Sequence, residues 1–438
     1  MMVIYNILAI MGIVLGFPLL AIIALGSDKR RKTVLQRLGL AAFPWGARQN
    51  RSSNPSNKPI WVHALSVGEV NSALLLVRRL RDRFRDRNIF FSVSTKTGHE
   101  IANKLLKSHV DAIFFFPYDF IFSVKHVVAK VDPAMVVLVE SDIWPNFLAE
   151  MKKRGVPVML ANARLSKRSF TGYRRFSFFM RPLLLTFSGI CTQSMDDFRR
   201  FEQLGVPSGR IVRTGNLKFD QEHDPVPTAE LEKLRRSTHI KPGQKTLLAG
   251  STHKGEEVIL LDAFSRMKRQ FSDLLLMIAP RDPRRAGSVC RIFRSAGFSA
   301  YSLNDLNTVA LDSKSDVVVV DTIGILQRLY ALADIAFVGG SLVKSGGQNP
   351  LEAAAFSKPI LFGPDMSDFH EISHMLLESG GAVRVHDADS LYKASAILLQ
   401  DSNRAKDMGK KALDVFRANR GAVEKTIEAI RSIGILGI

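Results

Sequence analysis

Gly339-Gly340-Ser341-Leu342-Val343-Lys344-Ser345-Gly346-Gly347-Gln348-Asn349-Pro350-Leu351-Glu352 follows the apolar run Ile335–Val338 and holds four glycines ahead of a proline. Glycine lets a backbone approach a ligand closely, and the N–H groups at a helix start favour anions. Pro350 suits a first helical turn, where its missing N–H costs nothing. Glu352, in that turn, is placed to accept hydrogen bonds from a ribose diol. The pattern fits a nucleotide site at the C-terminal end of a parallel strand. It fits equally a glycine-rich turn that only joins strand to helix.

Working outward, apolar runs of strand length recur on both sides. In the first half they cover residues 61–65, 89–93, 112–116, 135–139, 156–161 and 189–192, mostly separated by helical patterns such as 68–84. In the second half they cover 246–249, 274–279, 317–320, 335–338, 359–362 and 382–385, and helical patterns fill the end from about Ser390. A polar break at 220–227, with two prolines, is the linker candidate. The expectation is α/β: two Rossmann-like, doubly wound domains facing a cleft. Their expected bounds are 27–220 and 221–438, the second including the C-terminal helices, with an anchor at 1–26.

That anchor rests on residues 3–25, which are almost wholly apolar and uncharged and long enough to span a bilayer. Ser27-Asp28-Lys29-Arg30-Arg31-Lys32 follows and, by the positive-inside rule, keeps the rest of the chain cytoplasmic. A cleaved signal peptide carries its charges before the apolar stretch instead. Pro18, Gly12 and Gly16 leave a bent, shallow insertion as the other reading. The net charge of +20 draws the chain to polyanions: anionic lipid, phosphorylated substrate or nucleic acid. Only Cys191 and Cys290 occur, which argues against a disulfide framework and for a reducing compartment.

The chemistry-bearing residues stand at strand ends. Ser66-Val67-Gly68-Glu69 follows the first strand and puts a carboxylate on the first turn of a helix, where the dipole favours its ionised form. Such a group can remove a proton from an attacking hydroxyl; it is also an ordinary first-turn Glu. Glu140-Ser141-Asp142-Ile143-Trp144-Pro145-Asn146 places a second carboxylate at the same sheet edge. Asn162-Ala163-Arg164-Leu165-Ser166 and Gly215-Asn216-Leu217-Lys218 add cations in similar loops, able to hold a phosphate. In the second half Gly250-Ser251-Thr252-His253, Pro280-Arg281 and Asp321-Thr322-Ile323-Gly324 end further strands. Ser66, Gly68, Arg164, Ser251 and Thr252 are candidate phosphate or acceptor contacts. The histidines at 63, 253, 370 and 386 are scattered without metal-ligand spacing, so no metal is expected. Tyr173 to Arg181 interleaves aromatics with arginines, a pattern for a membrane interface, for base stacking, or for a core-facing helix.

In this order, the motifs from Trp61-Val62-His63-Ala64-Leu65 through Asn349-Pro350-Leu351-Glu352 resemble the 3-deoxy-D-manno-octulosonic acid (Kdo) transferases of lipid A biosynthesis. The resemblance implies a GT-B glycosyltransferase that moves Kdo from CMP-Kdo to a lipid A precursor of the lipid IVA type. The implied reaction is inverting, needs no metal or other cofactor, and takes place at the cytoplasmic side of the inner membrane. Carried over by position, Glu69 is the general base, and Glu140 and Lys218 stabilise the transition state. Pro280, Arg281, Ile323, Gly324, Ile325, Asn349, Pro350, Leu351 and Glu352 hold CMP. Inner-membrane anionic lipids are then the polyanion that the charge answers, rather than nucleic acid. Two positions depart from the family pattern: Ile325 stands where Glu is usual, and Gln348 where His is usual. The rivals are a GT-B enzyme with another nucleotide sugar, and a membrane-anchored binding protein without activity.

Overall fold

The computed structural model describes residues 5–7, 11, 28–41, 43, 58–140, 143–221, 226–306 and 315–432. The chain divides into two compact units, Met1–Glu222 with Arg420–Ile438, and His223–Asn419.

Among the described residues, the first unit is built on a seven-stranded sheet, every pairing in it parallel. Its strands are β1 (Ile60–Ala64), β2 (Ile89–Val93), β3 (Ala112–Phe115), β4 (Met135–Val139), β5 (Val158–Ala163), β6 (Gly189–Thr192) and β7 (Ile211–Arg213). They lie in the order β3-β2-β1-β4-β5-β6-β7. β1, β2 and β4 are buried along their whole length, which is why they read as continuous apolar runs. Trp61 packs with its ring centroid 5.4 Å from Phe114 and 5.2 Å from Phe147, and its indole N–H donates to Ser92 Oγ at 2.7 Å. The buried aromatic thereby keeps its polar atom satisfied.

The second unit repeats the plan with β8 (Thr246–Thr252), β9 (Leu275–Pro280), β10 (Ala300–Ser302), β11 (Val317–Val319), β12 (Ile335–Val338), β13 (Ile360–Phe362) and β14 (Ala382–Arg384). The order is β10-β11-β9-β8-β12-β13-β14, again all parallel. In each unit the winding reverses between two neighbouring strands: β1 and β4 in the first, β8 and β12 in the second. Loops leaving such a pair part from each other and open a crevice, the usual ligand position in open α/β sheets.

The division departs from the expected 27–220 and 221–438. The helix Ala422–Ser432 joins the first unit, because its buried Val423, Ile427 and Ile430 enter the core of Val70, Leu76 and Leu217. Buried Asp220 accepts the N–H groups of Gly421 and Val423, both at 2.6 Å, and so caps that helix at its start. The apolar face was visible in the sequence, but not which core it meets. The expected anchor lies almost wholly outside the described residues. Among those described, no helix is long and apolar enough to cross a membrane, and no anchoring helix is shown.

Candidate active site

Glu69 opens the helix Val67–Arg83, directly after β1. Its carboxylate accepts the Leu65 N–H at 2.5 Å and faces the Ser66 hydroxyl at 3.3 Å, while Ser66 makes no side-chain capping bond of its own. The carboxylate therefore folds back over the strand end instead of pointing along the helix. It stays partly accessible, and Gly68 beside it is exposed.

Glu140 ends β4, the strand next to β1 at the switch point, with φ of 70°. A left-handed conformation in a non-glycine residue is strained and needs surrounding structure to hold it. Here the Glu140 N–H donates to Ala161 O at 2.8 Å, and Asn162 Nδ2 faces the Glu140 carboxylate at 3.5 Å. Asn162 Oδ1 accepts the Leu217 N–H at 3.0 Å, in the turn Leu217–Asp220 that carries Lys218. The structure thus links Glu140 to the turn that carries Lys218 through one buried amide. Arg164 follows β5, partly buried.

In the second unit the glycine-rich loop is closed by protein groups. Glu256, fully buried, accepts N–H groups from Gly340 (2.7 Å), Ser341 (3.0 Å), Leu342 (2.9 Å) and His253 (2.8 Å). Gly346 N–H donates to Asp365 and Gly347 N–H to the Gly340 carbonyl. These amides point inward, so at those positions the structural reading of the loop holds and the anion-cradle reading does not. Gly339 has a separate reason to be glycine: a Cβ there would stand 2.5 Å from the Ser251 carbonyl.

Around the β8 end, Ser251 has φ of 55° and Thr252 is buried, its hydroxyl donating to Glu257 at 3.1 Å. Glu257 pairs with Arg285 at 2.9 Å. Pro280 ends β9, and exposed Arg281 donates its backbone N–H to Thr252 O at 3.0 Å. Ile323 is 74% exposed, Gly324 has φ of 92°, and Ile325 stands at the start of the helix Leu326–Leu329 with its carbonyl taking the N–H groups of Arg328 and Leu329. Asn349 Oδ1 accepts the Leu351 N–H at 3.1 Å, with Pro350 and Leu351 buried behind it. Gln348, the other departure, approaches Gly340 with its side chain.

Glu352 is partly buried, and loss of solvent pushes its carboxyl up to about 7, with the nearby Arg281 guanidinium pulling the other way. Tyr330, buried, has its own ionisation pushed up by burial and then by Glu352. Its hydroxyl fills the space that a Cβ on Gly250 would need. Tyr330 thus packs against Gly250 in β8, with Glu352 near enough to act on its charge and Arg281 on that of Glu352. Tyr330 and Glu256 were not singled out in the sequence. A paired acidic first turn, Glu256-Glu257, was the only signal for the latter, and it reads as routine helix-dipole compensation.

Two parallel-sheet α/β units with polar strand ends at both switch points define a protein of the GT-B type. Among solved structures, UDP-GlcNAc 2-epimerase from Neisseria meningitidis bound to UDP-GlcNAc superposes with a TM-score of 0.59 at 13% identity, covering 85% of this chain and 100% of that one. A glycosyltransferase from Rickettsia africae gives 0.55 at 15% identity, covering 86% and 99%. These likenesses concern the fold alone.

The sequence relatives are more specific. The family described as 3-deoxy-D-manno-octulosonic-acid transferase (kdotransferase) matches residues 32–221. The 3-deoxy-D-manno-octulosonic acid transferase of Haemophilus influenzae is 31% identical over 417 residues, 94% of either chain. That of Rickettsia felis is 33% identical over 376 residues, 85% of this chain and 78% of its own. The chain belongs to the 3-deoxy-D-manno-octulosonic acid transferase family, and it is a glycosyltransferase.

Proposed function

We propose that this protein transfers Kdo from CMP-Kdo to a lipid A precursor of the lipid IVA type, with inversion and without a metal, at the cytoplasmic face of the inner membrane. The observation that carries the reading is the pair Glu69 and Glu140 at the ends of neighbouring strands, the second tied to the Lys218 turn through Asn162. An acceptor hydroxyl attacks the anomeric carbon of Kdo and gives its proton to Glu69. The bond from that carbon to the CMP phosphate breaks, and CMP leaves with the electron pair. Glu140 stabilises positive charge developing on the sugar, and Lys218 the charge of the departing phosphate. Arg281 and Glu352 bind the nucleotide, Glu352 through the ribose hydroxyls. The +20 charge and the apolar residues 3–25 support a site on an anionic membrane. Ile325 and Gln348 leave the donor contacts there to backbone and amide groups, with transfer retained.

Donor binding is expected to release protons. Hydroxyl donors favour an ionised Glu352, whose carboxyl is about half protonated near pH 7. Calorimetry of CMP binding in buffers of different ionisation enthalpy should show up to about half a proton released there, and none with Glu352→Gln. Proton release unchanged in that variant rules out the ribose contact. The stability of the free protein carries the matching sign. The Glu352 carboxyl ionises near 4.5 when unfolded and about 7 when folded, so stability falls as pH rises across that window and is level above it.

The direct test is transfer itself: wild-type protein in anionic vesicles, CMP-Kdo and a tetraacylated lipid A precursor, with products resolved by mass spectrometry. A Kdo-extended lipid supports the assignment. No product from a folded, CMP-binding protein contradicts it.

A further inference from the structure

Between β5 and β6 the register slips: Leu160 pairs with Ile190 and Ala163 with Thr192, so β5 carries two residues where β6 carries one. Asn162 is one of the two, fully buried, with φ of 55°. A bulge redirects the side chain it carries, and asparagine is among the few residues that adopt this conformation readily. The redirected amide stands between Glu140 and the Lys218 turn.

The orientation of every amide nearby follows from a backbone partner. The Leu217 N–H can only donate, so Asn162 Oδ1 faces it and Nδ2 turns to Glu140. The Asn162 carbonyl can only accept, so Gln193 Nε2 faces it at 2.9 Å and its Oε1 takes Asn216 Nδ2 at 3.0 Å. Asn216 Oδ1 then accepts the Lys218 N–H at 3.0 Å. Gln193 and Asn216 are buried, and none of these three amides can flip without stranding a polar group. We propose that Asn162, braced by Gln193 and Asn216, is the positioning residue that sets the Glu140 carboxylate and the Lys218 turn in one fixed relation for transfer. The inference rests on the catalytic reading of Glu140 and Lys218. Nδ2 donates to a carboxylate that must stay ionised and aimed, and Oδ1 fixes the start of the turn. Asn162 is fully buried, so the expected effect falls on turnover and not on binding.

Asn162→Asp tests this at constant volume, keeping the acceptor for Leu217 and removing the donor that faces Glu140. The expected result is a kcat lower by about 100-fold, with KM for CMP-Kdo and for the acceptor lipid within about twofold of wild type. Gln193→Glu, which keeps the acceptor for Asn216 and loses the donor to Asn162, should lower kcat about tenfold, and it carries the test if Asn162→Asp does not fold. Wild-type kcat in either folded variant, or a raised KM at unchanged kcat, overturns the relay. Glu140→Gln run beside them separates the two levels. Wild-type kcat in Glu140→Gln removes the catalytic reading itself, whereas an inactive Glu140→Gln beside a fully active Asn162→Asp removes the relay alone.

Discussion

Glu69→Gln should leave a folded protein that transfers Kdo on the order of 1,000-fold more slowly than wild type. The side chain stands at the end of β1, on the first helical turn, folded back to the Leu65 N–H at 2.5 Å. Glutamine keeps an amide oxygen for that N–H, so the turn survives, but it has no lone pair basic enough to take a hydroxyl proton. CMP binding, which the proposal assigns mainly to Arg281 and Glu352, should be unchanged, which separates lost chemistry from lost folding. Glu69→Asp should fall between the two, since a side chain one methylene shorter draws the base back from the hydroxyl it must reach. Kinetics and CMP titration of the three proteins check the point. A glutamine variant within tenfold of wild-type kcat would remove Glu69 from the mechanism.

Glu256→Ala should have the largest effect on stability. Four backbone N–H groups converge on that buried carboxylate, three of them from the glycine-rich loop. Leaving a buried donor without its acceptor costs about 1–3 kcal/mol, so losing all four costs roughly 4 kcal/mol or more, even with water entering the gap. For a unit of this size the melting temperature should fall by roughly 10 °C. Since the same loop leads to Asn349 and Glu352, CMP binding should weaken with it. Glu256→Gln, which retains one accepting oxygen, should lose less. Thermal unfolding and CMP titration measure both effects. An alanine variant as stable as wild type would mean that the loop is held by something other than Glu256.

That result also bears on what a sequence can show. The parallel α/β architecture was legible because β1, β2, β4 and β12 are buried on both faces and stand out as apolar runs between helical patterns. β7 and β10 were not: Ile211-Val212-Arg213 leaves two of its three residues exposed, and Ala300-Tyr301-Ser302 is too short to show a period. The C-terminal helix has a plain amphipathic face, yet nothing in it says that Asp220 will cap it and the first unit bury it. Of the proposed site residues, Glu69, Glu140 and Arg281 were singled out from their place after apolar runs, where loops meet ligands, and Lys218 as a cation in a similar loop. The left-handed backbones of Glu140, Asn162 and Ser251 were not, because a non-glycine residue in that conformation is held by its neighbours and leaves no local mark. The glycine loop shows the limit most clearly. Its composition suits an anion, and the fold supplies anions from within the protein, Glu256 and Asp365.

The most direct measurement is transfer by the wild-type protein in anionic vesicles, offered CMP-Kdo and a tetraacylated lipid A precursor, with UDP-sugars as competing donors and mass spectrometry as the readout. The predicted result is a lipid heavier by whole Kdo residues, formed from CMP-Kdo alone and absent with Glu69→Gln. A lipid extended from a UDP-sugar, or no extension by a protein that folds and binds CMP, would contradict the assignment.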